Sequence, residues 1–73
     1  MSTYQLILNC NLDENVLTDL MVLIDDFMVE ESIENNVVEI EISVKIEPLT
    51  DSTFANVVCT TSNGQLFEED FSL

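Results

Sequence analysis

The chain has 73 residues, of which 47% are hydrophobic, and it carries 15 Asp and Glu residues against one basic residue, for a formal net charge of −14. This length predicts a single domain over residues 1–73, and the hydrophobic fraction excludes an intrinsically disordered chain. The charge excludes nucleic acid and anionic membranes as direct partners, because both repel a negative surface, and it favours a cationic partner.

The first half of the chain predicts a strand followed by a helix. Residues 4–10 are short, apolar and rich in residues that favour strands. Asn11 or Asp13 is placed to cap a helix, and Glu14 follows Asn11 at the spacing of a capping box. Apolar residues then recur at three- and four-residue steps, which predicts an amphipathic helix over about residues 13–31.

The second half predicts three strands. Residues 37–47 alternate apolar and polar side chains, which is typical of a strand with one buried and one solvated face. Pro48 ends that strand, because proline cannot donate to a sheet ladder. Residues 53–61 predict a third strand and residues 65–71 a fourth.

Two details of the last hairpin follow from the sequence. Asn63-Gly64 predicts a tight turn in which both residues have positive φ. On the fourth strand, Phe67 and Phe71 share a face, and alternation places Glu69 between them. A β-bulge or a dimer contact would explain an acid in that position.

Together the elements predict an α+β domain of order β-α-β-β-β, with one amphipathic helix packed on a four-stranded, mostly antiparallel sheet. The helical connection allows the first two strands to be parallel. The other face of the sheet is then exposed to solvent, or a second copy of the chain covers it in a homodimer.

The residues required for common catalytic sites are missing. There is no His to serve as a base near neutral pH, and Gly64 is the only Gly, so no glycine-rich loop can bind phosphate. Two distant cysteines without His cannot form a Cys/His metal site. We therefore expect no enzymatic activity, no catalytic residue, no cofactor and no metal site.

The expected compartment is the cytoplasm. Cys10 and Cys59 are too few for a disulfide-rich secreted scaffold and are interpreted as buried, reduced thiols. Residues 1–3 lack the basic start of a signal peptide, and no apolar run approaches the ~18 residues of a membrane span.

The carboxylates themselves are the candidate partner-binding residues. Successive turns of a helix rise by ~5.4 Å, and alternate residues of a strand lie ~6.7 Å apart. Phosphates along a DNA strand are roughly 6–7 Å apart through space, so both rows of acids can imitate a phosphate track. The candidate residues are Asp19, Asp26, Glu30, Glu31, Glu34, Glu39 and Glu41.

The acids at the predicted helix end carry additional weight. Negative charges near a helix C-terminus oppose the helix dipole and cost about 0.3–1 kcal/mol each. Glu30 and Glu31 lie at this end of the predicted helix, and no neighbouring Lys or Arg offsets the cost. Local stability does not favour acids at this position, which suggests that they serve binding.

Two short segments carry a resemblance. The segment Asn56–Gly64 looks like the last hairpin of the uracil-DNA glycosylase inhibitor, and Glu31-Ser32-Ile33 is similar to a Glu-Ser-Ile segment of that family. In that family the Glu-Ser-Ile segment precedes the helix that covers the sheet, whereas here it follows the predicted helix. The resemblance therefore implies the class of small, acidic, phage-encoded DNA mimics, and not a glycosylase as the target.

These observations lead to a functional hypothesis. The chain is expected to act as a phage-encoded DNA-mimic inhibitor in the host cytoplasm, where it would compete with DNA for a basic host protein. Expected targets are an HU-type nucleoid protein, a restriction or CRISPR complex, a repair enzyme or RNA polymerase. The alternative is an antitoxin or immunity protein that covers a basic nuclease or another cognate toxin. A third possibility is a structural or assembly factor whose dimerisation matters more than its charge.

Overall fold

A computed structural model describes residues 4–73, and all five predicted elements are present in the predicted order. The elements are strand β1 (Gln5–Leu8), helix α1 (Glu14–Glu30) and strands β2 (Val37–Glu47), β3 (Ser52–Thr61) and β4 (Leu66–Ser72). The predicted α+β class and the order β-α-β-β-β are therefore confirmed. The prediction that no signal peptide opens the chain concerns residues 1–3, which lie outside the described residues.

The four strands form one mixed sheet in the order β1-β2-β3-β4. β1 runs parallel to β2, with Leu6 beside Ile40, whereas the β2–β3 and β3–β4 pairs are antiparallel. A parallel pair needs a long crossover connection, and α1 provides it. β1 and β4 are the two edges of the sheet.

The helix covers one face of the sheet and forms the core with it. Buried helix residues recur at three- and four-residue steps, and the central strands contribute alternate residues from the same face. Phe27 also meets Phe71 of β4 edge to face, with ring centres 6.3 Å apart. The core side chains of α1, β2 and β3 are Leu20, Ile24, Phe27, Met28, Val37, Ile40, Ile42, Ala55, Val57 and Cys59.

The helix begins at a single capping residue. Asp13 is the N-cap, and its carboxylate accepts a hydrogen bond from the N–H of Asn15 at 2.8 Å. The capping box expected from Asn11 and Glu14 is therefore wrong. Asn11 lies two residues before the cap, and Glu14 is already the first helical residue, so neither occupies the position that a capping box requires.

The helix ends in a Schellman motif. Ser32 has φ 59°, and its N–H donates to the carbonyl of Val29 at 3.0 Å. The N–H of Ile33 donates to the carbonyl of Met28 at 2.9 Å, and both of these side chains are buried. This pattern satisfies carbonyls that the last helical turn would leave unpaired, and it directs the chain from α1 into β2.

The turn after β2 begins where it was predicted. Pro48 is the first residue beyond the strand. Asp51 has φ 57°, and its N–H donates to the carbonyl of Glu47 at 2.8 Å. Ser52 then begins β3 directly opposite Glu47, so the turn fixes the register of the β2–β3 hairpin.

The β3–β4 hairpin forms, but its turn differs from the prediction. Gly64 has φ 87°, whereas Asn63 is not in the left-handed region. Thr61 donates its N–H to the carbonyl of Gln65 at 2.9 Å, which leaves a three-residue loop instead of a two-residue loop. In such a loop only the residue after the central pair needs positive φ, and the expectation of positive φ at Asn63 is wrong.

The fourth strand accommodates Glu69 without a bulge. β4 pairs with β3 in continuous register, with Glu69 opposite Val57 on the helix-covered face, between Phe67 and Phe71. The bulge considered from the sequence is therefore wrong. Because β4 is an edge strand, the side chain of Glu69 is exposed to water. An acid in this position opposes pairing of the edge with a strand of like charge.

Candidate protein-binding surface

The acidic stripe predicted on the helix lies along the flank of α1 that faces β4. Asp19 lines a groove together with Leu23 of the helix and Leu73, which follows β4. Asp26 and Glu30 occur seven and eleven residues after Asp19, and these steps return to the same flank of a helix. All three carboxylates are exposed, so this flank is a solvated row of acids.

The opposite flank of α1 faces β1 and carries Asp25. Burial raises the pKa of Tyr4 above its ordinary value of 10.0, and the nearby charges of Asp25 and Cys59 raise it further. The electrostatic effect of Asp25 on Tyr4 places this acid on the β1 side of the helix. It is therefore separate from the stripe that begins at Asp19.

The acids at the helix end lie on an ordered turn. Glu31 is the C-cap residue, and its N–H donates to the carbonyl of Phe27 at 3.0 Å. Glu30, Glu31 and Glu34 are all exposed, and the last helical turn contains no basic residue. The Schellman motif at Ser32 fixes the backbone that carries them.

The remaining two predicted residues, Glu39 and Glu41, lie on the other side of the molecule. Ile40 points into the core beneath the helix, so its neighbours point to the face that the helix does not cover. We call this face the open sheet face. The structure thus divides the seven predicted acids between two surfaces, with five on the helix side and two on the open sheet face.

Asparagine side chains orient three carboxylates of the open sheet face. Asn56 lies on β3 and is only 8% exposed. Its amide nitrogen donates to Glu68 Oε2 at 3.0 Å and to Asp70 Oδ1 at 2.8 Å. At the other side of the face, Asn9 donates to Glu41 Oε2 at 2.8 Å. Hydrogen bonds to carboxylates are stronger than neutral ones, so these acids are held in defined positions.

Glu68 and Asp70 were not among the predicted partner-binding residues. The sequence shows a Glu-Glu-Asp run on the last strand, but its apolar neighbours did not settle which acids face outwards. The signal that could have found them is Asn56, a polar residue at a position of β3 that alternates with Ala55 and Val57. Once β3 and β4 pair as a hairpin, Asn56 lies directly opposite Asp70.

The carboxylates of the open sheet face form two rows on either side of β3. Glu39 and Glu41 lie along β2, and Glu68 and Asp70 lie along β4, with a backbone step of ~6.7 Å between the two acids of each strand. Strands β2 and β4 are separated by β3, so their backbones are about 9–10 Å apart. The Glu68 and Asp70 carboxylates lean towards β3, where both accept from the amide nitrogen of Asn56.

The strip between the two rows is less polar. Val58 is directly opposite both Glu41 and Glu68, and Phe54 is opposite Lys45. Val58 and Phe54 are half-buried, whereas Lys45, the single basic residue of the chain, is exposed near the turn. A partner on this face would meet acids at both sides and apolar side chains in the middle.

The two thiols are free and differ in burial. Cys59 is fully buried in the core, and burial raises the pKa of its thiol, which disfavours the reactive thiolate. Cys10 is half-buried, and its thiol lies 3.8 Å from the carbonyl of Ile42 as a weak donor. Among residues 4–73, no cluster of three or more His, Cys, Asp or Glu side chains could bind a metal ion.

Comparison with protein-family models, curated proteins and solved structures finds no significant match to this chain. Over the part of the chain that the structure describes, no helix has the length and apolar character of a membrane span. Functional inference therefore depends on the surface chemistry of the domain.

Proposed function

We propose that the chain is a DNA-mimic inhibitor that occupies the basic DNA-binding surface of a host protein and competes with DNA. The observation that carries this proposal is the set of carboxylates on the open sheet face whose positions are fixed by asparagines, namely Glu41, Glu68 and Asp70. A phage origin and action in the host cytoplasm belong to the same proposal.

Three physical features support it. Solubility of a small domain needs a net charge of only roughly 2–8, so a charge of −14 exceeds that need. Glu39 and Glu41 follow a backbone step of ~6.7 Å, which is close to the spacing of phosphates along a strand of nucleic acid. Their hydrogen bonds to Asn9 and Asn56 reduce the ordering that binding would otherwise require.

The mechanism is competitive. Lys and Arg side chains of the target meet carboxylates in place of phosphates, and the attraction between opposite charges accelerates association. Val58 and Phe54 lie between the acidic rows and contribute apolar contact at the centre of the interface. Such contacts supply specificity that charge alone lacks.

The test measures displacement of duplex DNA from a panel that comprises an HU-type nucleoid protein, RNA polymerase and a restriction nuclease. The wild-type chain should displace DNA from at least one of them, less effectively as salt rises. The triple variant Glu41→Gln, Glu68→Gln, Asp70→Asn should lose about tenfold or more in affinity, which corresponds to 1.4 kcal/mol.

Two variants with the same change in net charge serve as controls. One neutralises the helix stripe, by Asp19→Asn, Asp26→Asn and Glu30→Gln. The other neutralises acids that belong neither to this stripe nor to the open sheet face, by Glu14→Gln, Asp25→Asn and Asp51→Asn. Equal losses in all three variants would show that only total charge matters. Failure of the wild-type chain to displace DNA from any panel member, together with tight binding of one cognate toxin, would favour the antitoxin or immunity alternative.

A further inference from the structure

The outer edge of β4 is an unpaired edge of the sheet. Within residues 4–73, β4 pairs with β3 alone, so one side of its 7-residue backbone has no strand partner. An exposed edge of this kind can accept an additional strand from another molecule. The opposite edge, β1, has only 4 residues and offers a shorter template.

Acidic side chains flank this edge on both faces of the sheet. Glu68 and Asp70 point to the open sheet face, and Glu69 points to the helix-covered face. A strand added at the edge would place its side chains about 4.5–5.5 Å from those of β4, where opposite charges attract and like charges repel. A second copy of β4 would bring acids against acids, so the edge favours a basic strand.

An apolar groove lies at the end of the same edge. Its volume is about 180 Å³, and it is lined by Val16, Leu20, Leu23 and Leu73, with Asp19 and Ser72 at its polar side. Small-molecule sites usually measure about 300–1,000 Å³, so this groove fits a single aliphatic side chain better. Alternate residues of an added strand would point towards the helix, where one of them can reach the groove.

We propose that β4 accepts an extended basic segment of the partner protein as a fifth strand, with one aliphatic side chain inserted in the groove between α1 and β4. This inference rests on the proposed function, because the proposed function supplies a cationic partner. It adds the mode of binding and the character of the bound segment, in which Lys or Arg residues alternate with apolar ones.

The first test uses two synthetic peptides of about nine residues, long enough to cover a strand. One alternates Lys with Val and carries a Leu near its end. The other has the same charge, with Pro in place of two Val residues, and so cannot complete a ladder. The isotope-labelled full chain should bind the first peptide about tenfold more tightly than the second. The first peptide should also slow hydrogen exchange at β4 amides.

The second test changes the groove without changing charge. The double variant Leu23→Ser, Leu73→Ser should reduce binding of the Leu-containing peptide about tenfold. The matched variant Val29→Ser, Leu49→Ser changes two other exposed apolar residues and should bind as the wild type does. Urea unfolding of both variants verifies that each remains folded.

The outcomes separate the two proposals. Equal, salt-sensitive binding of both peptides, or binding of the first peptide without slower exchange at β4 amides, would overturn strand addition while supporting a cation-binding surface. Binding of neither peptide at low salt would count against both proposals. If the β4 amides become protected without peptide as the protein concentration rises, a second copy of the chain pairs with this edge. That result would also overturn the inference.

Discussion

The two faces of the sheet use the same alternation of residues for opposite purposes. On the helix-covered face, Ile40, Ile42 and Val57 are fully buried and stabilise the fold. On the open sheet face, the intervening positions present Glu39 and Glu41, with half-buried Val58 and Phe54 on the neighbouring strand. Stability and candidate binding chemistry are thus separated by the two-residue period of a strand.

This separation also explains how a small domain tolerates its charge. A folded chain with a net charge of −14 is destabilised by self-repulsion. The core opposes that repulsion from one face of the sheet, and the amide of Asn56 bonds two of the carboxylates on the other. We expect substitutions on the two faces to differ in magnitude and in their response to salt.

The largest effect is expected from truncation on the helix-covered face. Ile42 of β2 is fully buried on this face, and Ile42→Ala should lower the free energy of unfolding by about 2–5 kcal/mol because it leaves a cavity. Val58→Ala, on the open sheet face, is the comparison and should cost clearly less. Urea unfolding followed by circular dichroism measures both, and equal losses would contradict the proposed division between the faces.

The next effect tests the polar network of the open sheet face. Asn56→Asp replaces the amide donor with a third carboxylate beside Glu68 and Asp70, and should cost about 1–3 kcal/mol. Asn9→Asp is the matched change and should cost less, because Asn9 is exposed and contacts only Glu41. High salt should restore part of the stability of Asn56→Asp. A salt-independent loss would argue against charge repulsion.

A smaller effect, a gain in stability, is expected at Ser32 in the turn between α1 and β2. Ser32 has φ 59°, a conformation that costs energy for any residue with a Cβ atom. Ser32→Gly should therefore stabilise the chain by about 0.5–1 kcal/mol, even after allowing for the greater freedom of glycine in the unfolded state. Thermal unfolding of the variant and the wild type checks this expectation, and a loss of stability would contradict it.

The smallest expected effect is a loss of stability at alkaline pH that arises from the phenol of Tyr4. Burial, followed by the charges of Asp25 and Cys59, raises the pKa of Tyr4 in the folded state. Because the pKa of Tyr4 is higher in the folded chain than the unfolded value of 10.0, its contribution to stability is fully present below that unfolded value. The contribution is lost as the pH rises through the folded pKa. Urea unfolding across that pH range should show a fall in the free energy of unfolding, and this fall should be smaller in Tyr4→Phe. An unchanged fall in the variant would assign it to another group.

Much of the fold was readable from the sequence because its periodicities are unambiguous. The alternation over residues 37–47 identified β2 with the bounds that the structure shows. The three- and four-residue steps of apolar residues identified α1, which spans Glu14–Glu30 against a predicted helix over about residues 13–31. The predicted first strand, residues 4–10, is longer than β1, because only Gln5–Leu8 pair along β2.

Local details were less predictable where several residues compete for one role. Asn11 and Asp13 can both cap a helix, and Asp13 is the residue that does so. Asn63-Gly64 is typical of a two-residue turn, but the pairing of Thr61 with Gln65 gives a three-residue loop. The loop length therefore follows from the pairing of β3 with β4, which the residues of the turn alone do not fix.

The candidate surface shows the same limit. Composition alone established that the surface is acidic and that a cationic partner is favoured, because net charge is independent of conformation. Only the tertiary structure decided which acids lie together, since Asn56 is distant in sequence from Glu68 and Asp70 but adjacent to them across the β3–β4 ladder. Charge is summed along a chain, whereas a binding surface depends on register and on which face each strand presents.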